Sequence, residues 1–274
     1  MTESNQKVLT VLVTGATSGI GAQVAEQFAA AGHRVYGTTR NPDSVREKIH
    51  GVTYVRLDNA DYSTAQSCAD EVGDVDILIN NAGESHDGPL EDTPLESIEH
   101  IFAVNVFGPI ALTKAVLPGM RARRTGTVVM VGSMLASFPV AFRSTYSATK
   151  AALKNYALSL RREVAPYGIR VISVEPGTIA TGIGDRRNRD VVDDSPYRAE
   201  YETYAAAVRA NEAKGISAES MAEQIVQAAL AEKPRPFYAR GNRAGLVFLV
   251  KRLVPQQVII DIANRTHGLG RIRP

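Results

Sequence analysis

The sequence predicts an α/β fold. A parallel sheet of about seven strands is wound with helices on both faces, in a single domain spanning 1–274. Three observations lead there. Short Val- and Ile-rich runs alternate with longer stretches of helical spacing. The runs are apolar throughout, as strands covered on both faces are. No Pro-, Gly- or Ser-rich linker interrupts the series, so one layered core accounts for all of it.

The elements follow in order. Val8 to Val13 is a buried-strand run, and Gly19 to Ala31 has Ile20, Val24, Phe28 and Ala31 at helical spacing. Arg34 to Thr38 and Val52 to Leu57 are the next strands, and Asp76 to Ile79 is the fourth. Pro94 to Leu117 reads as a long helix with proline in its first turn, where no amide is missed. Thr127 to Val131 is a strand, Ser147 to Val164 a helix, and Arg170 to Val174 a strand. Glu175 to Gly215 carries many charges, no strand run, and a helix over about Tyr197 to Asn211. A helix over Ala218 to Ala231 and a short strand at Phe237 to Ala239 close the series. A long insertion after a strand's C-terminal end is where such folds place ligand loops, so 178–216 is the expected substrate loop.

Composition removes several classes. Lys and Arg number 31 against 29 Asp and Glu, a balance that argues against general nucleic-acid binding. Cys68 is the only cysteine, so no intrachain disulfide forms, and it reads as a packing residue. His33, His50, His86, His100 and His267 show no metal-ligand spacing, and no metal is expected. Gly-x-Ser-x-Gly is absent, against an α/β-hydrolase nucleophile. The N-terminus has neither a secretory nor a transit pattern, and Leu246 to Val250 is too short an apolar run to span a bilayer. A cytoplasmic location is the expectation.

The first strand runs into Thr14-Gly15-Ala16-Thr17-Ser18-Gly19-Ile20-Gly21 and then a helix. Glycines there let the backbone approach a pyrophosphate, and the helix N-terminus supplies N–H donors. A dinucleotide site selecting NAD places an acid at the end of the second strand. Here Thr39 and Arg40 stand instead. An acid repels a 2′-phosphate, whereas Arg40 can fork onto it, with Ser18 and Thr39 adding hydroxyls. NADP(H) is therefore expected over NAD(H). The bland alternative is that Arg40 is a solvated surface residue.

At this point the motifs resemble those of the short-chain dehydrogenase/reductase family. The loop from Thr14 to Gly21 has its three-residue gap between the first two glycines, and Asn80-Asn81-Ala82-Gly83 matches its Asn-Asn-Ala-Gly element. Tyr146 and Lys150 match its Tyr-x-x-x-Lys, Ser133 lies thirteen positions upstream of the tyrosine, and Asn105 matches its helix asparagine. Pro176, Gly177 and Thr181 match its Pro-Gly element and following threonine. The resemblance implies a Rossmann-like fold and NAD(P)-dependent oxidoreduction. It gives Asn105, Ser133, Tyr146 and Lys150 catalytic roles. Cofactor contacts would come from Gly15, Thr17 to Gly21, Thr39, Arg40, Asn59, Asn81 to Gly83, Tyr146, Lys150, Pro176, Gly177, Ile179 and Thr181. It also places Asp58 against the adenine, with a strand-end cap as the competing reading. Asn105 would support a water-linked proton path to Lys150. Val104 to Gly108 and Glu175 to Gly177 look like the branch acting on steroids, retinoids and other lipophilic alcohols.

The chemistry stands beside the resemblance. Tyr146 and Lys150, at i and i+4, share a helix face. An ammonium beside a phenol favours the phenolate, which suits the tyrosine to exchange a proton with a carbonyl or alcohol oxygen. Ser133 follows a strand end, where its hydroxyl can hold that oxygen. The expected reaction interconverts a ketone or aldehyde with an alcohol on a lipophilic substrate. The alternative is a non-catalytic NADP(H)-binding sensor or interaction protein. Tyr197, Tyr201, Tyr204 and Val208 form a stripe that either walls the pocket or packs the helix down. Met134, Leu135 and Phe138 are candidates for the opposite wall. From Lys233 onward there are nine Lys/Arg and one acid, Asp261, beside apolar patches. The reading carried forward for 233–274 is a cover over the substrate site. Peripheral membrane contact through this basic tail is the alternative. A homodimer or homotetramer is the expected assembly.

Overall fold

The computed structural model describes residues 7–180, 184 and 187–270. The central strands are β1 (Thr10–Val13), β2 (Arg34–Thr39), β3 (Val52–Arg56), β4 (Ile77–Asn80), β5 (Gly126–Val131), β6 (Ile169–Pro176) and β7 (Phe237–Arg240). They lie in the order β7-β6-β5-β4-β1-β2-β3, every pair parallel. This is a single Rossmann-like α/β domain. The chain leaves β1 in one direction for β2 and β3 and returns for β4 onward, so a crevice opens between β1 and β4 at their C-terminal ends.

Apolar side chains on both faces of each strand explain the two cores. On β1, Leu12 packs on one side with Leu112 and Leu153. Its neighbours Val11 and Val13 turn to the other side, against Val24, Phe28 and Ile225. The first face is covered by α2 (Thr64–Val72), α4 (Gly108–Arg123) and α5 (Ser144–Val164). The second is covered by α1 (Gly19–Ala30) and α7 (Ala218–Leu230), which pack against each other. Cys68 is buried in the first core, and burial pushes its thiol up to about 12, so it is a packing residue.

The long helix begins as α3 (Leu95–Phe102), passes through a wide π turn at Ala103–Phe107, and continues as α4. It runs past the expected end at Leu117 because Pro118, inside α4, does not stop it. By length and composition Leu95–Arg123 is apolar enough to cross a membrane, but half of its apolar window is buried inside this fold. Helix α5 starts one turn earlier than its spacing suggested, at Ser144. Phe142, just before it, has φ 62. Such a backbone is strained for a bulky residue. The Phe142 ring is held between Tyr201 and Tyr204, at 5.7 and 5.4 Å.

The segment 175–215 also departs from expectation. It holds two-residue strands at Ile179–Ala180 and Asn188–Arg189, which pair with Ile216–Ser217 and His86–Asp87. Pairs this short leave no run in the sequence. Helix α6 (Arg198–Glu212) matches its prediction within a residue at each end. The tail forms two helices, α8 (Ala244–Leu253) and α9 (Gln256–Arg265), separated by a proline at 255.

Leu78 lies in the central strand and is fully buried, so Leu78→Ala is expected to cost about 2–5 kcal/mol. Leu246→Ala, on an exposed helix face, should stay within about 0.5 kcal/mol of wild type. Urea unfolding midpoints of the two variants check this.

Candidate active site

Two connected hollows lie along the C-terminal edge of the sheet. The larger, about 670 Å³, is a groove lined by Gly15 and Thr17 to Ile20 from the β1–α1 loop. Thr39 and Arg40 line it from the end of β2, and Asp58 and Asn59 from the end of β3. Asn81 to Gly83 close it after β4. The smaller, about 200 Å³, is lined by Ser133, Tyr146 and Lys150, with Pro176, Gly177 and Ile179 across from them. Ile20, Asn81 and Gly83 line both, so the two hollows join. Thr181 lies outside the described residues. Among the described residues no three His, Cys, Asp or Glu side chains are grouped to hold a metal.

The loop is latched to β4. Thr14 Oγ1 accepts the backbone N–H of Asn81 at 2.9 Å and of Ala82 at 2.8 Å. The Asn81 amide donates back to the Thr14 carbonyl at 3.0 Å. Gly21 stands behind this latch rather than in the groove. A Cβ there would run into the Gly15 carbonyl and the Asn81 amide, so any side chain would pry the loop open. Ser18 occupies the N-cap of α1, and Gly19 and Ile20, the first residues of that helix, line the groove; a helix N-terminus suits an anion. Arg40 is exposed at the rim. Asp58 Oδ1 accepts the Ala60 N–H at 3.0 Å, which makes it a strand-end cap, and it also lines the groove. Asn59 is buried and donates to the Val104 carbonyl at 3.2 Å, tying β3 to the π turn.

That π turn positions Asn105, which has no exposed surface. Its Oδ1 accepts the Glu84 N–H at 2.8 Å, and its Nδ2 donates to the Glu84 carbonyl at 2.9 Å. Nδ2 also reaches Thr149 Oγ1 at 3.3 Å, and so α5. Extra width in a helix at such a point is a frequent mark of a functional site. Gly83 separates Asn105 from Lys150. A Cβ at Gly83 would stand 2.9 Å from Asn105 Oδ1 and 3.3 Å from Lys150 Nζ.

Lys150 is buried, and its Nζ donates to the Val131 carbonyl at 3.2 Å. The ammonium lies 5.7 Å from the centre of the Tyr146 ring. A second cation, the Arg143 guanidinium, sits over the same ring at 4.5 Å. Both cations thus lie near one ring, and the Tyr146 and Lys150 side chains are themselves buried. Ser133 Oγ accepts the Leu135 N–H at 3.2 Å, capping a short 3₁₀ turn at Met134–Ala136.

Sequence reasoning missed the charged floor of the cavity. Asp87, fully buried, faces Arg187 Nη1 at 3.4 Å and Arg143 Nη1 at 3.8 Å. Ser85 Oγ accepts from both arginines at 3.1 Å. Burial works against the charge of Arg187, but Glu212 and Asp87 outweigh it and hold the guanidinium above its ordinary value. Tyr201 donates to Asp87 at 2.8 Å, and burial first and that bond second raise its phenol. The only sequence clue was Arg143 three positions before Tyr146. The partners lie up to 114 residues apart along the chain.

The tyrosine stripe divides. Tyr204 and Val208 line the cavity, Tyr201 turns to Asp87, and exposed Tyr197 donates to Glu91 at 2.8 Å. Met134 and Leu135 line the cavity. Phe138 does not; it packs on Phe248 of α8, with ring centres 4.9 Å apart. Beside it, buried Glu175 pairs with Lys154 at 2.9 Å and accepts from Ser137 at 3.0 Å. Burial still leaves its carboxyl raised.

The family model for short chain dehydrogenases matches residues 9–191. The chain belongs to this family. It is an oxidoreductase of the fold that binds nicotinamide cofactors. Dehydrogenase/reductase SDR family member 7B of Xenopus tropicalis is 32% identical over 268 residues, covering 89% of this chain and 81% of that protein. Human retinol dehydrogenase 8 is 36% identical over 184 residues, covering 63% and 59%. These relatives place the chain with the retinol- and hydroxysteroid-type branch. A short-chain dehydrogenase from Streptomyces avermitilis superposes with a TM-score of 0.78 at 35% identity, covering 92% of this chain and 93% of that one. One from Burkholderia cenocepacia, in complex with NADP, gives 0.74 at 25% identity, covering 92% and 96%.

His267 gives the cavity a pH dependence. Burial lowers its pKa from the ordinary 6.5; a bond to the Ala263 carbonyl opposes this, and Arg143 adds to it. The unfolded chain therefore takes up a proton near pH 6.5 that the folded chain refuses. Stability from this group is complete above that pH and is lost as the pH falls through it. Measured by urea unfolding, wild type should lose more stability than His267→Asn between pH 7 and pH 5.

Proposed function

We propose that the protein interconverts a ketone or aldehyde with the corresponding alcohol, using NADP(H), on a lipophilic substrate. The observation that carries this is the meeting of Ser133, Tyr146 and Lys150 in one cavity that opens into the groove of the glycine loop. Bound in that groove, a nicotinamide dinucleotide supplies or accepts the hydride. The loop residues and the N-terminus of α1 would hold its pyrophosphate, and Pro176, Gly177 and Ile179 line the cavity that the groove joins.

The chain's own residues handle the proton. In reduction, the Tyr146 hydroxyl gives its proton to the substrate oxygen; in oxidation, the phenolate takes it back. Ser133 holds the same oxygen through its hydroxyl. The Lys150 and Arg143 cations, 5.7 and 4.5 Å from the ring centre, would stabilise the negative charge that develops on the Tyr146 oxygen during the exchange. Asn105, fixed by two bonds to Glu84 and lying across Gly83 from Lys150, would serve a water-linked path to it. Met134, Leu135, Tyr204 and Val208 supply apolar wall, in keeping with the name of the retinol dehydrogenase relative. The polar floor of Ser85, Arg143 and Arg187 lies beneath that wall.

NADP(H) preference rests on Arg40 at the groove rim, where an acid would select NAD, and on the NADP-bound family structure from Burkholderia. A partly solvated charge-assisted contact is worth about 1.5–3 kcal/mol, or about 10- to 150-fold.

Tyr146→Phe should leave the NADPH dissociation constant within about 2-fold while turnover on a ketone and alcohol panel drops by about 100-fold or more. Lys150→Ala should lose both turnover and cofactor affinity. Turnover by Tyr146→Phe at the wild-type rate would refute the mechanism.

Arg40→Asp should weaken NADPH by more than the lost contact, because the new carboxylate repels the 2′-phosphate. Fluorescence titration of NADPH and NADH at one salt concentration measures this, since exposed pairs are screened. Equal wild-type affinity for the two cofactors would show that Arg40 has no part in selection.

A further inference from the structure

We propose that the outward faces of α8 and α9 dock the protein on an anionic lipid surface. The two helices are apolar on both sides. Inward, Phe248 packs between the Phe138 and Phe237 rings at 4.9 and 5.0 Å, Ile259 is buried, and Asn264 accepts the Ala141 N–H at 3.0 Å. That side is complete. Outward, Leu246, Leu249 and Leu253 are 55%, 54% and 75% exposed. Their i, i+3, i+7 spacing puts them on one line of α8. Val258 and Ile262, 40% and 45% exposed, repeat the pattern at i, i+4 on α9. A helix that satisfies the core with one side has no folding reason to carry leucines on the other.

Charge identifies what covers them. Arg252 borders the leucine line of α8, and Arg265 falls one turn beyond Val258 and Ile262 on α9; both are exposed. From residue 233 onward the sequence holds nine Lys and Arg and one acid, Asp261, which accepts from Gln257 at 3.0 Å. Arg240 pairs with Glu223 and Lys251 lies toward Glu175, whereas Arg252 and Arg265 border the exposed apolar lines. Since the whole chain is only +2, the remainder is net negative. An anionic bilayer would therefore attract this end and repel the rest, which sets an orientation. A second copy of the chain fits less well. A two-fold contact through this face would gather four arginines at one seam, with Asp261 the only acid on the two helices to offset them. The surface is separate from Tyr146 and the cofactor groove, so docking and redox activity succeed or fail independently.

The full chain is tested by flotation with phosphatidylcholine vesicles, with and without phosphatidylserine. Binding should require phosphatidylserine and weaken with salt. Arg252→Gln with Arg265→Gln should reduce partitioning by about 5-fold per arginine. Leu249→Glu with Leu253→Glu should abolish it, with the thermal midpoint unchanged. The arginine pair, being fully surface, keeps the test decisive should the leucine pair unfold. Three results would overturn the proposal. They are no flotation of wild type, equal flotation on neutral vesicles, and a wild-type dimer in solution that the leucine substitutions dissociate.

Discussion

The parallel register of β1, β4, β5 and β6 is the constraint on which the site depends. Val13, Ile79, Val129 and Ile172 lie level across four adjacent strands. Every strand therefore ends at the same edge, and the loops that follow emerge side by side. The phosphate-loop candidate, the Asn81–Gly83 turn, Ser133 and the Pro176–Gly177 turn are those loops. Their separation along the chain exceeds 160 residues, yet they border joined hollows. An antiparallel pairing anywhere in this set would send one loop to the opposite end. The sheet is held in register by apolar side chains on both faces, since a one-residue slip would exchange the two cores.

Buried polar groups then fix what the register brings near. Asn105 satisfies both peptide groups of Glu84 and reaches Thr149, so the π turn, the loop after β4 and helix α5 move as one. Removing its amide would leave those partly buried groups without this partner. The Asp87, Arg143, Arg187 and Tyr201 cluster does the same for the far wall. Burying such charges is expensive, and their partners must all be present for the cluster to be tolerated. Phe142, with its positive φ, is trapped in that cluster by two tyrosine rings. Its neighbour Arg143 is thereby held over Tyr146.

The C-terminal segment links the site to the outer surface. His267 lines the cavity and Leu269 packs with Tyr204, while α8 and α9 present leucines and arginines outward. Lys154, Ser137 and Glu175 sit under α8, and Lys251 is close enough to Lys154 and Glu175 to feel both charges. The tail is thus both a wall of the cavity and a surface of its own. The basic composition of this segment did not specify its two helices.

The sequence alone determined the fold and named most of the residues that line the two hollows of the candidate site. Uninterrupted apolar strands, helical spacing between them and the loop after β1 are local signals. Ser133, Tyr146 and Lys150 stand in motifs whose spacing survives in a single chain. The short strands at 179–180 and 188–189 were invisible because two residues carry no periodicity. The role of Arg143, the division of the tyrosine stripe and the loss of Phe138 to α8 were likewise decided only in three dimensions. Each turns on which distant group a side chain meets: Tyr201 on Asp87, Arg187 on Glu212, Phe138 on Phe248. A helical face can be read from spacing along one segment, but its partner cannot, because contact between segments is set by the packing of the whole core.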